Sequence, residues 1–331
     1  RVNSEKTKTQ NNFYAFVRKN AVMCIAFAAA VITGIFIPID REYAGYFDYK
    51  TLTCLFCVLA VVCALKNIHF FYMLARKVVQ LFKTARMSVL ALVYITFIGS
   101  MLIANDMALL TFLPLGYFVL TTTKKEKYMA FTFIMQNIAA NLGGMLTPFG
   151  NPQNLYLYGK AQMSAGAFVL LMLPYSLLSL LLLVICGAVV AKRCRMEVGG
   201  AGVSLPEEAG NAPKKYLLQG YLLLFVLCLL TVAHILPYPV ILVVVIVTVL
   251  ILDRRTIGKV DYSLLLTFVG FFVFIGNMGR MPAFCEFLQR IIGGREVMTA
   301  VIASQVISNV PAALLLSGFT DVSPVYEAHA Q

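Results

Sequence analysis

The sequence predicts an all-α polytopic membrane protein, built as inverted repeats with re-entrant hairpins and interrupted helices. Three observations carry this. Of 331 residues, 60% are hydrophobic and only 13% charged, with a mean hydropathy of +0.83; ordinary globular domains carry about 25% charged residues. Apolar runs alternate with basic loops, the charge pattern that orients chains in membranes. Several of those runs are broken by polar, Pro and Gly clusters, which lipid tolerates only where protein or a water-lined cavity shelters them.

The net charge of +12 would point to nucleic acid in a soluble protein. Here the basic residues sit between apolar runs, so no nucleic-acid partner is expected. The eight cysteines lie mostly inside apolar runs. Cys54 and Cys57 form a C-x-x-C on a helix in lipid, where packing as small hydrophobes outweighs redox or metal use. His69, His234 and His329 are scattered and make no ligand spacing. The chain opens on Arg1, as a trimmed or mis-started N-terminus would, and no cleaved signal peptide is legible there.

Residues 1–20 are polar and basic and form an expected cytoplasmic tail. A first span covers 21–38, an acidic loop 40–48, and a second span 51–65. In 70–86, Phe70, Phe71, Leu74, Val78, Leu81 and Phe82 share one face while Arg76, Lys77, Lys83 and Arg86 take the other; that is an interfacial amphipathic helix. The next apolar stretch, 87–121, has about 35 residues. One straight helix of that length would run about 52 Å, too long for a hydrocarbon core of about 30 Å, and two full spans need about 40 residues. A re-entrant hairpin remains, with Asn105-Asp106 near its tip. Basic residues flank both ends, with Lys124, Lys125 and Lys127 after it, so both ends prefer the cytoplasmic side.

A span from 128 is interrupted by Thr147-Pro148-Phe149-Gly150-Asn151-Pro152-Gln153-Asn154. A long span covers 165–191, followed by a Gly-rich basic loop at 192–215. Spans at 216–236 and 240–252 meet at an uncharged turn, Pro237-Tyr238-Pro239. After a basic loop come a span at 262–277, a shorter interfacial helix at 281–292, and an apolar stretch at 297–319 broken at Ser308-Asn309-Val310-Pro311.

Asp40-Arg41, Gly45 and Asp48-Tyr49 recur as Asp253-Arg254, Gly258 and Asp261-Tyr262, at a constant offset of 213. Each copy is followed by a span, an interfacial helix and a broken hairpin. Five spans separate the copies' orientations, so the repeats are inverted, as in secondary transporters. The expected organisation is a cytoplasmic tail (1–20), a first repeat (21–192) with hairpin 87–121 and interrupted span 128–158, a cytoplasmic loop and linking span (193–236), and an incomplete second repeat (237–331). The partner of the 147–154 break is missing from the second repeat, as in a chain truncated at its C-terminus.

The breaks carry the chemistry. Asp106 is the one acidic residue between Arg86 and Glu126. It fits a Na⁺ ligand or proton carrier and equally an N-terminal cap of the second hairpin helix. Asn105, Thr147, Asn151, Gln153 and Asn154 offer amides and a hydroxyl to an oxyanion, and helix N-termini at the breaks add partial positive charge. Ser308, Asn309 and Pro311 form the counterpart of the first hairpin tip. Gln136, Asn137 and Asn141 read equally as site residues or as polar glue between helices.

Three segments, 103–115 (IANDMALLTFLPL), 141–155 (NLGGMLTPFGNPQNL) and 308–318 (SNVPAALLLSG), resemble the signatures of the ion transporter superfamily, which holds citrate-transporter-like proteins, arsenite permeases, sodium/proton antiporters and sodium-coupled dicarboxylate symporters. The resemblance covers nearly the whole chain. It implies a homodimer with a scaffold part and a moving part that works like an elevator. It places substrate and Na⁺ at Asn105, Asp106, Thr147, Pro148, Gly150, Asn151, Asn154, Ser308 and Asn309, with ion coupling at Asp106, Asn105 and Asn151 and Na⁺ itself at Asp106 and Asn151. The Gly-rich break that the family has after its second hairpin is absent here.

The expected function is secondary transport of a small anion, first a citrate or dicarboxylate, coupled to Na⁺ or H⁺ by symport or antiport, from a multi-pass position in the cell membrane with the N-terminus cytoplasmic. Arsenite efflux and Na⁺/H⁺ exchange are the alternatives in the same class. A membrane enzyme is disfavoured, since no H-E-x-x-H, G-x-S-x-G or paired acids occur in the apolar segments. No G-x-x-x-x-G-K-[ST] is present for a primary pump, although a separate ATPase subunit could power one. A non-transporting fragment is a further class. No cofactor is expected beyond the coupling ion.

Overall fold

A computed structural model describes residues 16–18, 20–71, 73, 77, 85–122, 126–193, 215–307 and 309–319. Among these residues there is no strand; the chain is a succession of helices. Four of them are long and apolar enough to cross a membrane: Tyr49–Asn67, Ala165–Ala188, Lys215–Val232 and Tyr262–Gly279. Shorter apolar helices accompany them. The protein is an all-α polytopic membrane protein.

In order, the helices are α1 (Ala21–Phe36), α2 (Tyr49–Asn67), α3 (Ala85–Ser100), α4 (Asn105–Thr122), α5 (Met129–Gly143), α6 (Pro152–Ala161), α7 (Ala165–Arg193), α8 (Lys215–Val232), α9 (Tyr238–Leu252), α10 (Arg254–Ile257), α11 (Tyr262–Gly279), α12 (Pro282–Ile292), α13 (Glu296–Ile307) and α14 (Asn309–Phe319). A 3₁₀ helix, Arg41–Tyr46, precedes α2, and another, Glu126–Tyr128, precedes α5. α9 reads YPVILVVVIVTVLIL. Its β-branched residues favour strands in water; in lipid every backbone group must be satisfied within the segment, and the helix wins. The expected interfacial helix at 70–86 and the basic loop at 192–215 fall largely outside the described residues.

The chain divides into two compact units, residues 1–52 with 261–328, and 53–260 with 329–331. In the first, α1 packs along α11. Gly270 lies against the backbone of Ala26, where an added Cβ would come within 3.0–3.2 Å of Ala26 and Phe27 atoms. Small residues let helices approach this closely, the means of association where lipid offers no hydrophobic drive. The fully buried Asn277 donates from Nδ2 to Thr33 Oγ1 at 3.2 Å, a cross-helix hydrogen bond in the same seam. α13 and α14 form a helical pair, and Phe319 meets Phe284 of α12 edge-on at 5.6 Å.

In the second unit, α2 is buried over almost its whole length from Cys54 to Leu65, its cysteines reduced and serving as core. α3 and α4 form a helical hairpin turning at 101–104, and α5 lies beside both. Val93 and Phe97, Met135 and Ala139, and Leu183 of α7 make one buried cluster. α7 turns Leu177, Leu178, Leu181, Leu182 and Ile185 outward. An apolar face of that extent would cause aggregation in water and is suited to lipid.

The two copies of the ten-residue motif fold alike at their caps. Asp40 accepts from the Glu42 N–H at 3.0 Å and Asp253 from the Arg255 N–H at 3.1 Å. Asp48 accepts from the Thr51 N–H at 3.0 Å and Asp261 from the Leu264 N–H at 3.2 Å. The repeated aspartates are therefore N-caps, which satisfy the orphan donors of a helix's first turn.

Candidate solute site

α5 ends because the chain after Gly143 is rich in Gly and Pro. Gly144 caps it, the segment 145–150 turns, and Asn151 is extended (φ −144°, ψ 144°) before Pro152 opens α6. Proline is well placed at a first helical position, where its missing N–H costs nothing. The turn is tight enough that a Cβ on Gly150 would fall on the Gly144 carbonyl oxygen. Asn154 holds it closed: its Nδ2 donates to the carbonyls of Gly144, Met145 and Thr147 at 3.2, 3.1 and 3.2 Å. Those carbonyls belong to the end of α5 and the turn after it, so Asn154 caps the break from below.

The hairpin tip docks on this break. The Asn105 N–H donates to the Gly150 carbonyl at 3.1 Å. Asn105 Nδ2 donates to Asn141 Oδ1 at 2.9 Å, and Thr147 Oγ1 to the Met101 carbonyl at 2.5 Å. Two helix N-termini, those of α4 and α6, thus converge. Partial positive charge gathers at such ends, and no Lys or Arg occurs in 87–123 or 128–159 to supply a full one.

Asn105, Thr147, Pro148, Gly150, Asn151 and Asn154 are brought together in this one place. Pro148, Gly150, Asn151 and Asn154 are buried. Asn151 stands out, since it is 4% exposed and its Oδ1 has no hydrogen-bond partner in the protein. The oxygen faces Gly144, where an added Cβ would lie 2.8 Å from it. An unmet buried acceptor costs about 1–3 kcal/mol, a cost that a ligand donor or cation would remove. Asp106 occupies the first turn of α4 with its side chain exposed, where the helix dipole favours a carboxylate.

Gln136, Asn137 and Asn141 separate into two roles. Gln136 is fully buried and donates from Nε2 to Thr96 Oγ1 at 3.1 Å and the Phe112 carbonyl at 3.0 Å. It is glue for α3, α4 and α5. Asn141 donates to Asn137 Oδ1 at 3.2 Å and accepts from Asn105, and the Asn105 Oδ1 accepts from the Asp106 N–H at 2.9 Å. Asn137, Asn141 and Asn105 therefore make a line of amides leading to Asp106. Asn105 and Asn141 are 36 residues apart, and no periodicity pairs them in the sequence.

Asn309 belongs to the other compact unit, where it opens α14 with an exposed side chain, and Pro311 is buried two positions on. Ser308 lies outside the described residues. Among the described residues no group of His, Cys, Asp and Glu is arranged to hold a transition metal. An alkali cation needs oxygen ligands instead, which Asn151 and Asp106 carry.

Residues 5–328 match the family described as Citrate transporter. The inner membrane protein YbiR of Escherichia coli K12 is 30% identical over 315 residues, covering 90% of this chain and 80% of that protein. An uncharacterized transporter of Methanocaldococcus jannaschii is 28% identical over 273 residues, 82% of this chain and 72% of the relative. A silicon efflux transporter of Oryza sativa subsp. japonica is 31% identical over 152 residues, 45% of this chain and 30% of the relative.

Proposed function

Because the chain belongs to the citrate transporter family, we propose that it is a secondary transporter of a small anion, a citrate or dicarboxylate first, driven by Na⁺ or H⁺. It is a membrane transporter and not an enzyme. The solute is held where the tip of the α3–α4 hairpin meets the break between α5 and α6. The observation that carries this is the buried Asn151 Oδ1 without a protein partner between two helix N-termini. A ligand donor or a cation meets the Asn151 oxygen, the helix N-termini attract the carboxylates of the solute, and apolar packing does neither. Asn105, Thr147, Pro148 and Gly150 form the frame, Asn154 closes it, and Asp106 with Asn151 binds the coupling ion. Ser308 and Asn309 supply the corresponding tip of the second hairpin.

The inverted-repeat plan is supported by two contacts that occur twice at the offset of 213. Arg280 Nη1 meets Tyr46 Oη at 3.1 Å, and Asn67 Oδ1 meets Lys259 Nζ at 3.3 Å. Gly276 packs on the Tyr46 ring, and Cys63 Sγ lies 3.6 Å from the Lys259 carbonyl. Arg280 holds Asp40 and Glu42, and Asn67 holds Thr256. In both cases a span of one copy holds the short helix of the other, the reciprocity of a two-fold relation. Loop charges put the N-terminus in the cytoplasm, and two chains form the working dimer.

Proteoliposomes test the reading. Labelled citrate or succinate should accumulate when a Na⁺ or H⁺ gradient is imposed, and Asp106→Asn should abolish the response to that gradient. Uptake that ignores both gradients and Asp106→Asn overturns the coupling assignment. A second reading is efflux of a neutral oxyacid such as arsenite or silicic acid. The absence of Lys and Arg from 87–123 and 128–159 favours it, and the rice relative is named for silicon efflux. Arsenite or silicic acid flux without citrate flux would decide for it.

A further inference from the structure

Away from the solute site, a cavity of about 360 Å³ opens in the second unit between the end of α2, the segment after α10 and the middle of α4. Lys66, Asn67, His69 and Lys259 line one side; Phe71, Leu110, Thr111 and Pro114 line the other. One wall is cationic and hydrogen-bonding, the other apolar. Neither lysine is ion-paired with a described carboxylate. Asp253, six residues before Lys259, has its oxygens occupied by the Arg255 N–H at 3.1 Å and Thr256 Oγ1 at 2.7 Å.

The internal repeat shows what is unusual here. At the corresponding junction of the first copy, the cation Arg280 is neutralised within the protein by Asp40 at 2.7 Å and Glu42 at 3.3 Å. In the second copy Arg255 stands in place of Glu42, Lys259 in place of Tyr46 and Lys66 in place of Gly279. Across the same offset Arg280 itself becomes Asn67, so the junction loses one arginine, gains two lysines and exchanges an acid for a base. It has also opened a cavity where the first copy closes an ion pair. From Lys66 to Arg86 the sequence holds no acid at all. Uncompensated cations around a cavity in a membrane protein are stabilised by an external anion, and an adjoining apolar wall is complementary to an acyl chain.

We propose that this cavity binds the phosphate of an anionic phospholipid. Lys66 and Lys259 contact the phosphate oxygens, His69 and the amide of Asn67 border the headgroup, and Leu110, Phe71 and Pro114 receive the start of the acyl chains. The lipid bridges α2, the segment after α10 and the hairpin helix α4.

Detergent-purified full chain is titrated with mixed micelles of phosphatidylglycerol, phosphatidylcholine or with inorganic phosphate, and the thermal midpoint is read. Phosphatidylglycerol should raise the midpoint at concentrations where phosphatidylcholine and phosphate do not. Each lysine is worth about fivefold in affinity, so Lys66→Gln with Lys259→Gln should weaken half-saturation roughly 25-fold. Lys259→Arg should retain binding, and Lys77→Gln, which removes a charge outside the cavity, should change nothing. The substitutions are at accessible positions, and an unchanged midpoint without lipid verifies folding. A fold defect in the double variant transfers the test to Leu110→Asp, which should lose phosphatidylglycerol binding alone. Equal protection of wild type and double variant, or equal loss in Lys77→Gln, overturns the site. Protection by inorganic phosphate that matches phosphatidylglycerol overturns the lipid assignment.

Discussion

The guanidinium of Arg280 grips the carboxylate of Asp40 with both Nη atoms, at 2.7 and 3.1 Å. The pair fastens the 3₁₀ helix at Arg41–Tyr46 to the end of α11. The hydrogen bond from Arg280 holds the Asp40 carboxyl below its ordinary value of 3.8, and the bond to Asp40 holds the guanidinium charged. A carboxyl lowered in the folded state stabilises that state above its unfolded value and loses the contribution as pH falls through the lowered one. Wild-type protein should therefore lose more thermal stability than Asp40→Asn between pH 5 and pH 3, with the curves converging below that. Both partners are solvent-accessible, so the difference should shrink in high salt. Thermal midpoints across pH at two ionic strengths give the answer, and parallel curves would refute the linkage.

Asn151 and Asn154 are three residues apart and should respond oppositely to truncation. Asn154 ties down three carbonyls, and stranding buried acceptors costs about 1–3 kcal/mol. Asn154→Ala should lower the thermal midpoint and lose transport together. Asn151→Ala removes an oxygen that already lacks a partner, so the midpoint should hold while transport falls at least tenfold. A stable, active Asn151→Ala would remove the residue from the site.

Gly150→Ala should be among the most damaging single changes. The added methyl would meet the backbone of Gly144, which no rotamer change can move aside. Overpacking in a well-packed place costs about 1–3 kcal/mol, and here the break itself must open. Expression as a monodisperse species is the measurement. Gly166→Ala, with open space around it, is the control that should behave as wild type.

The helices were legible because lipid punishes every alternative. Apolar runs, their lengths and the Pro and Gly punctuation place the apolar helices within a few residues, with turns near 101–104 and 144–151, whereas the short helix α10 lies in what the sequence reads as a basic loop. The motif at Asp40 recurs in the sequence at Asp253, and the local role of both aspartates as caps follows from Asp chemistry. What stayed hidden were pairings between distant positions. Asn105 with Asn141 and Gln136 with Phe112 carry no periodic signal. Asn154 is conspicuous in the sequence as an amide in an apolar run, whereas the three backbone carbonyls that its Nδ2 meets carry no sequence signal.

Gln136 and Asn141 offer a test of polar residues on one helix. Gln136→Ala removes two buried hydrogen bonds and the packing of α3, α4 and α5, and should destabilise by about 2–4 kcal/mol. Asn141→Ala removes the exposed amide line to Asn105 and an exposed bond to the Asn137 carbonyl. It should leave the thermal midpoint near wild type and raise the solute concentration needed for half-maximal uptake. Loss of stability in Asn141→Ala without an effect on uptake would return all three residues to a purely structural role.

The two copies of the Asp-Arg motif give the sharpest test of topology. Arg41 and Arg254 are both exposed, each one residue after its capping aspartate. Parallel repeats would put both on the same side of the membrane, since corresponding loops then face alike. Inverted repeats require opposite sides. In a cysteine-free background, Arg41→Cys and Arg254→Cys should therefore react with a membrane-impermeant maleimide under opposite conditions. Arg41→Cys should label in intact cells, and Arg254→Cys only after the membrane is opened, because basic residues cluster near Arg254 and acidic ones near Arg41. Replacing both arginines removes part of that charge bias, so a reporter fused after residue 210 provides an orientation reading with both in place. Labelling of both positions from one side would remove the inverted plan, and with it the reason for expecting the α13–α14 pair to mirror the α3–α4 hairpin.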